Sequence, residues 1–182
     1  MEIVNCPVIL VLTGASGAGK TTLMHKLNGL EIPGVEGFNC DRVLAEVRGS
    51  SDKTDLQAKV LRYWISKLGR ERTQLSLAVL DTQIAPHRAL EVLNEAKISR
   101  SQIVLVDCEP VERNRRLCNE RRQPELANAQ MDCWAAYLRG QADALNLPII
   151  DTSQNSMGQS LEKLQMLVEE LIGRTAMSPN ID

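Results

Sequence analysis

A glycine-rich stretch directly after an apolar run constrains this chain more than any other feature. Residues 8–12 read Val-Ile-Leu-Val-Leu, and residues 14–21 then fit the pattern GxxxxGK(S/T). The apolar run is typical of a parallel strand that is buried on both faces. The pattern is typical of a loop whose backbone N–H groups surround phosphates at a helix N-terminus. The sequence therefore predicts a strand, a phosphate-binding loop and a helix over residues 19–28.

Each residue type in such a loop has its own role. The glycines let the backbone curl so that its N–H groups face inward, and Lys20 reaches the β- and γ-phosphates of a nucleotide. The hydroxyl of Thr21, or alternatively that of Thr22, binds Mg²⁺. The predicted nucleotide-binding residues are Gly14, Ala15, Ser16, Gly17, Ala18, Gly19, Lys20, Thr21 and Thr22.

Length and charge restrict the organisation of the protein. Its 182 residues suit one α/β domain over residues 1–174, with a small lid and a tail at 175–182. The formal net charge of −2 gives no general reason to expect nucleic acid as a partner. The five cysteines lack metal-ligand spacing, so we expect them to be reduced. No apolar run approaches the roughly 18 residues of a membrane span, and we expect a soluble, cytoplasmic protein.

Two apolar runs end in an aspartate that is a candidate for the metal site. Residues 75–80 precede Asp81, and residues 103–106 precede Asp107. A carboxylate in this position orders the hydration shell of Mg²⁺ in phosphate-binding folds. We favour Asp81, because Asp107 leads through Pro110 directly into a predicted helix, which indicates a capping role.

Asp41 follows a predicted second strand over residues 35–39. Ligands of parallel sheets bind at the carboxyl ends of strands, so Asp41 is predicted to contact the substrate. Two alternatives stay open: Asp41 caps a helix over residues 42–47, or the neighbouring Asn39 takes the substrate contact.

The segment after Asp81 crosses the same side of the predicted sheet. Gln83 and Arg88 lie in this segment and are predicted to contact the substrate, whereas His87 is interpreted as a surface residue. A preceding helix, capped by Thr54 or Asp55, is predicted to end at Gly69.

Arginines are concentrated between residues 110 and 123. A solvated, salt-bridged helix face explains Arg113 and Arg115 as well as a functional role does. Arg116, Arg121 and Arg122 lie where the helix gives way to a predicted lid at about residues 116–130. Guanidinium groups on such a lid stabilise charge on a transferring phosphoryl group, and we predict this catalytic role for all three.

Three elements complete the predicted chain. Asn128 caps a helix in which Trp134 is predicted to be packed rather than to serve as a base-stacking platform. Residues 147–151 form the last strand, and the last helix ends at Gly173.

The loop, the aspartate at the strand end and the arginine-rich lid together resemble the nucleotide-kinase-like group of P-loop phosphotransferases. This group includes shikimate kinase, gluconate kinase and chloramphenicol phosphotransferase. The resemblance covers about residues 8–172 and implies a three-layer α/β/α sandwich, five parallel strands in the order 2-3-1-4-5, ATP as donor and Mg²⁺ as cofactor. It also implies that Arg121 is the lid arginine and that residues 151–154 lie beside the adenine.

These features predict an ATP-dependent kinase that phosphorylates a hydroxyl of a small molecule, with Asp41 positioning that hydroxyl and accepting its proton. The acceptor stays open, because the sequence lacks the Asp-Gly-x-Pro-Arg stretch of adenylate-type kinases and the glycine pair of shikimate kinases. One alternative is an ATPase or nucleotide-dependent switch that acts through a protein partner. Another is a polynucleotide-end kinase that uses the basic stretch over residues 113–122. The sequence leaves the oligomeric state open.

Overall fold

The computed structural model describes residues 6–43, 55–71 and 74–176. Five parallel strands form a single sheet in the order β2-β3-β1-β4-β5. The strands are β1 (Val8–Thr13), β2 (Val35–Asn39), β3 (Leu77–Asp81), β4 (Ser101–Asp107) and β5 (Ile149–Asp151). The α-helices are α1 (Lys20–Asn28), α2 (Leu56–Arg70), α3 (Pro86–Glu95), α4 (Pro110–Arg115), α5 (Ala129–Ala144) and α6 (Met157–Ala176). The predicted fold class and strand order are confirmed.

The central strand β1 separates two hydrophobic cores. It pairs with β3 on one side and β4 on the other, and all its residues are buried. Ile9 and Val11 pack with α2 and α3, whereas Leu10 and Leu12 pack with α1 and α6. Because side chains alternate along a strand, this apolar run fills both layers of the sandwich.

The register brings the ends of three strands together. Leu12 of β1 pairs with Asp81 of β3, and Thr13 of β1 pairs with Leu105 of β4. The loop after β1, the carboxylate at the end of β3 and the segment after β4 therefore meet at one edge of the sheet.

Two predicted helix ends are wrong. Helix α2 continues past Gly69 to Arg70, and α6 continues past Gly173 to Ala176. Neither glycine adopts the positive φ with which a glycine ends a helix. The strands β3 and β5 also begin two residues later than predicted.

The region between β2 and α2 is described only in part. A 3₁₀ turn spans Cys40–Val43, and the remainder of the predicted helix at 44–47 lies outside the described residues, as does Thr54. Asp55 precedes α2 as predicted, but its side chain does not cap the helix. Within the described parts of the chain, none of the helices has the length and apolarity needed to cross a bilayer.

Asn28, the last residue of α1, closes the free edge of the sheet. Its Nδ2 donates to the Gly37 carbonyl at 3.0 Å, and the Gly37 N–H donates to its Oδ1 at 2.7 Å. The side chain thus replaces a neighbouring strand for one residue of β2. A Cβ at position 37 would lie 2.5 Å from Met24 Cγ, so only glycine allows this approach of β2 to α1.

We predict that Asn28→Ala lowers the free energy of unfolding by about 1–3 kcal/mol, because it leaves a part-buried N–H and C=O without their partner. Urea unfolding measures this change. The matched control is Asn94→Ala, at an exposed asparagine on α3. Equal stability of the two variants would contradict the assigned role of Asn28.

Candidate active site

The loop between β1 and α1 is packed so closely that two of its glycines have no substitute. Gly14 and Gly17 have φ values of 153° and 83°. A Cβ at Gly14 would lie 2.2 Å from the Val106 carbonyl oxygen, and one at Gly17 would lie 2.9 Å from Arg113 Cγ. The loop therefore lies directly against β4 and α4, with its backbone curled ahead of the α1 N-terminus, as a phosphate-binding nest requires.

Lys20 is held inside this loop. Its side chain is buried, and Nζ donates to the Gly14 carbonyl at 2.8 Å and to the Ala15 carbonyl at 3.1 Å. Burial lowers the pKa of Lys20, and the charges of Asp81 and Asp41 oppose that shift. Neutral carbonyls compensate a buried ammonium less well than phosphate oxygens do, so an anion in the loop would be a stronger partner for Lys20.

Thr21 and Asp81 form the part of the site that suits a metal ion. The Thr21 hydroxyl donates to Asp81 Oδ2 at 2.6 Å. Asp81 is 4% exposed, and burial raises its pKa against the opposing effects of Lys20 and the Thr21 hydrogen bond. Hydroxyl and carboxylate oxygens are ligands that Mg²⁺ accepts. Thr22, the alternative to Thr21, is exposed.

Asp107, the other candidate for the metal site, has hydrogen-bond partners of its own. Asp107 Oδ1 accepts the Cys108 N–H at 2.9 Å, and its Oδ2 accepts Arg139 Nη1 of α5 at 3.1 Å. In residues 6–43, 55–71 and 74–176, no group of three or more His, Cys, Asp or Glu side chains could hold a metal ion. At Mg²⁺ sites with one or two protein ligands, water and substrate phosphates complete the coordination.

Asp41 and Asn39 have different roles at the end of β2. The Asp41 N–H donates to Asn39 Oδ1 at 2.9 Å, so Asn39 caps the 3₁₀ turn and Asp41 does not. Asp41 is exposed, and its charge raises the pKa of both Lys20 and Asp81. The Asp41 carboxylate therefore lies within electrostatic range of the phosphate loop.

Gln83 contacts the loop, whereas Arg88 is held elsewhere. The Ser16 hydroxyl donates to Gln83 Oε1 at 3.2 Å, which joins the segment after β3 to the loop. Arg88 Nη2 lies 2.7 Å from Asp55 Oδ2, and its Nη1 pairs with Glu91. The sequence could not indicate that two carboxylates, one of them 33 positions away, hold this guanidinium.

Arg113 and Arg115 have opposite environments. Arg113 is 1% exposed; Nη1 donates to the Cys108 carbonyl at 3.0 Å, and Nη2 pairs with Asp132 at the start of α5. Arg115 is exposed and pairs with Glu112 and Glu120. The solvated helix face is therefore the correct description for Arg115 and the wrong one for Arg113, which joins α4 to α5.

Arg116 connects the lid to the segment after β5. Nη1 and Nη2 donate to the Thr152 hydroxyl at 2.8 Å and the Thr152 carbonyl at 2.9 Å, and Nε donates to Glu112 at 2.8 Å. The Thr152 hydroxyl in turn donates to the Ala18 carbonyl of the loop at 2.7 Å. Sequence reasoning missed Thr152, although the family resemblance drew attention to residues 151–154.

The ion pairs of Glu112 with Arg115 and Arg116 predict that the stability of the protein depends on pH. Hydrogen bonds from Arg115 and Arg116 lower the pKa of Glu112 from 4.5 to about 2. A carboxyl group whose pKa is lower in the folded than in the unfolded protein stabilises the fold at any pH above its unfolded-state pKa. This stabilisation is lost as the pH falls through its folded-state pKa. We therefore expect Tm of the parent protein to exceed that of Glu112→Gln at pH 6, with the difference shrinking between pH 4.5 and about 2. Glu162→Gln, at an exposed position on α6, is the control; an unchanged difference over this range would contradict the prediction.

Arg121 lies on the lid and, like Arg116, lines the cleft beside the phosphate loop. It follows a π-helical turn, Arg116–Glu120, and its N–H donates to the Arg116 carbonyl at 2.9 Å. It lines a cleft with Gly17, Gly19, Lys20, Thr21, Thr22, Arg116 and Glu120. Its charge contributes to lowering the pKa of both Lys20 and Asp81. Arg122 is exposed and has a φ of 53°.

The rest of the lid leads into α5. A 3₁₀ turn spans Pro124–Leu126, and the Met131 N–H donates to Asn128 Oδ1 at 2.9 Å, so the predicted cap is confirmed. Trp134 packs against core residues, as predicted, but it is only half-buried because it also lines a surface groove.

Comparison with solved structures shows the fold of P-loop nucleotide-kinase-like proteins. Shikimate kinase from Acinetobacter baumannii, in complex with shikimate, matches with a TM-score of 0.59 and 18% identity, over 91% of this chain and 95% of that one. The Deinococcus radiodurans tunicamycin resistance protein matches with a TM-score of 0.61 and 18% identity, over 89% of this chain and 95% of that one. The Mycobacterium tuberculosis APS kinase, in complex with AMPPNP and APS, matches with a TM-score of 0.56 and 17% identity, over 90% of this chain and 98% of that one. No protein-family model and no curated protein match the sequence.

Proposed function

We propose that this protein is a kinase that transfers the γ-phosphoryl group of ATP to a hydroxyl of a small molecule. The observation that carries the proposal is the cluster at the loop, where Lys20, the Thr21–Asp81 pair and Arg121 meet. Structural neighbours support it: two are named as shikimate kinase and APS kinase, and the latter was solved with AMPPNP.

The chain's own groups would bind and neutralise the phosphates. The N–H groups of the loop and the α1 N-terminus bind phosphate oxygens, and Lys20 exchanges its two carbonyl partners for the β- and γ-phosphates. Arg121 approaches the same cleft from the lid and stabilises the charge of the transferring group. Arg116 keeps the lid attached to the loop through Thr152.

Thr21 and Asp81 are the residues that would hold Mg²⁺. Their hydroxyl and carboxylate oxygens are hard donors, which fit this ion better than a softer metal. When bound, Mg²⁺ neutralises charge on the β- and γ-phosphate oxygens.

Asp41 is the proposed base on the acceptor side. It positions the acceptor hydroxyl, whose oxygen attacks the γ-phosphorus while the bond to the β–γ bridging oxygen breaks and ADP leaves. The hydroxyl proton passes to the Asp41 carboxylate. Asn39 is the poorer candidate because its side chain caps the 3₁₀ turn.

The acceptor side also includes Gln83, which is proposed to contact the acceptor next to the loop. Arg88 is proposed to shape this side through its pairs with Asp55 and Glu91. Closure of the lid over the cleft would exclude water, which otherwise competes with the acceptor hydroxyl.

The test is ADP formation from ATP and Mg²⁺ by the pure protein, alone and with separate pools of sugars, nucleosides, aromatic alcohols and antibiotics. We expect one pool to raise the rate well above background, and Lys20→Ala to abolish the increase. ATP hydrolysis that no pool changes would contradict the kinase proposal and favour a nucleotide-dependent switch. Stimulation by single-stranded oligonucleotides alone would favour a polynucleotide-end kinase.

A further inference from the structure

A groove between the lid and α5 is lined by apolar and aromatic side chains. We call it the aromatic groove; its apolar lining is Leu126, Met131, Cys133, Trp134 and Tyr137, and Asn128 and Gln130 complete it. None of these lining residues carries a charge. The groove is therefore suited to an uncharged, apolar part of a ligand.

Two stacked rings form the wall of the aromatic groove. The Trp134 and Tyr137 ring centroids are 5.6 Å apart with an interplanar angle of 26°, and Tyr137 is 43% exposed. His87 of α3 makes an edge contact with Tyr137, and the Tyr137 hydroxyl lies 3.4 Å from His87 Nδ1. The chain has only two Trp and two Tyr, and one of each lies here. A partly exposed stack presents a ring face on which a planar ligand can continue the stacking.

Packed side chains connect the wall of the groove to the phosphate loop. Met131 and Trp134 pack against a cluster that contains Ala15 of the phosphate loop and Ala85 of the segment after β3. Asp132, beside the groove, pairs with Arg113, whose Cγ lies beneath Gly17 of the loop. Leu126 belongs to the same lid as Arg121.

We propose that the aromatic groove binds a planar aromatic part of the acceptor, and this inference rests on the proposed kinase function. The acceptor class is then an uncharged aromatic or heteroaromatic compound with a hydroxyl group. Closure of the lid over such a ligand would bring Leu126 onto the ring and Arg121 toward the phosphates. Binding of the acceptor would therefore complete the phosphate site.

Fluorescence tests binding directly, without ATP. In Trp64→Phe, Trp134 is the only tryptophan and lies in the groove. We expect 2-phenylethanol to change Trp134 emission saturably, with a Kd on the order of 1 mM, as suits so small a ligand. Glycerol should cause no saturable change.

Three further variants in the Trp64→Phe background distinguish stacking on the Tyr137 ring from the effect of removing any apolar side chain. Tyr137→Ala should weaken 2-phenylethanol binding about tenfold, whereas Tyr137→Phe keeps the ring and should retain binding. Met166→Ala removes an apolar side chain that is 68% exposed on α6, outside the groove, and should have no effect. No saturable change with 2-phenylethanol, or binding that survives Tyr137→Ala, would overturn the inference.

Kinetics then test whether the groove serves the acceptor. For the compound that raises Lys20-dependent ADP formation, Tyr137→Ala should raise KM about tenfold, while KM for ATP and the KM values of Met166→Ala stay unchanged. An acceptor whose KM is the same in Tyr137→Ala would overturn the acceptor role and leave the kinase function intact. Absence of any Lys20-dependent ADP formation would instead remove the kinase function and this acceptor assignment with it, whatever the fluorescence shows.

Discussion

Replacing Lys20 with alanine is expected to lower kcat for phosphoryl transfer by about 10³-fold. Lys20 Nζ lies inside the loop, where it would contact the β- and γ-phosphates of a bound nucleotide. Charge on the transferring group develops in the transition state, so loss of the ammonium should reduce kcat more than it weakens ATP binding. Steady-state ADP formation and equilibrium ATP binding measure the two effects.

Lys20→Met is the matched control for the fold. Burial lowers the pKa of Lys20, which means that burying its charge destabilises the folded protein at neutral pH. Replacing Lys20 with an uncharged residue removes this destabilisation. We therefore expect both variants to fold, with Tm within about 5 °C of the parent protein. Near-normal turnover by either folded variant would contradict the assigned role of Lys20.

Arg121→Ala is expected to lower kcat by about 10²–10³-fold with little change in Tm. Arg121 is exposed on the lid and lines the cleft with Lys20 and Thr21, so its removal takes positive charge from the phosphate site without opening the core. The measurement is kcat and the KM for ATP at saturating acceptor.

Arg122→Ala provides the comparison at the next position. Arg122 carries the same charge and is also exposed, but its φ of 53° marks a change of chain direction after Arg121. We expect its removal to change kcat by less than about threefold. If Arg122→Ala loses as much activity as Arg121→Ala, the assignment of the catalytic arginine to Arg121 is wrong. If neither variant loses activity, neither of these two arginines has a role in transfer.

The sequence could predict those parts of the site that depend on neighbouring residues. The loop requires glycines at fixed positions between a strand and a helix, and that requirement is visible in the residues themselves. The pairing of Thr21 with Asp81 could also be predicted from the sequence, because the carboxyl ends of parallel strands meet at one edge of the sheet.

The parts that the sequence could not predict depend on long-range partners. Arg88 looked available for a substrate until the structure paired it with Asp55. Arg113 looked solvated until its guanidinium was found buried against the Cys108 carbonyl and Asp132. Helical spacing indicated that Trp134 faces the core, but spacing alone could not show that a stack on Tyr137 leaves it half-buried at a groove. An arginine pattern does not specify its partners, because carboxylates anywhere in the chain can meet it after folding.

The most direct measurement follows the γ-phosphoryl group itself. ATP labelled with ³²P at the γ-position is incubated with Mg²⁺, the protein and the compound pools, and the products are separated into inorganic phosphate and organic phosphoesters. Our account predicts label in a phosphoester formed from one pool, and none in that phosphoester with Lys20→Ala. Label found only in inorganic phosphate, at a rate that no pool changes, would contradict the assignment as a kinase.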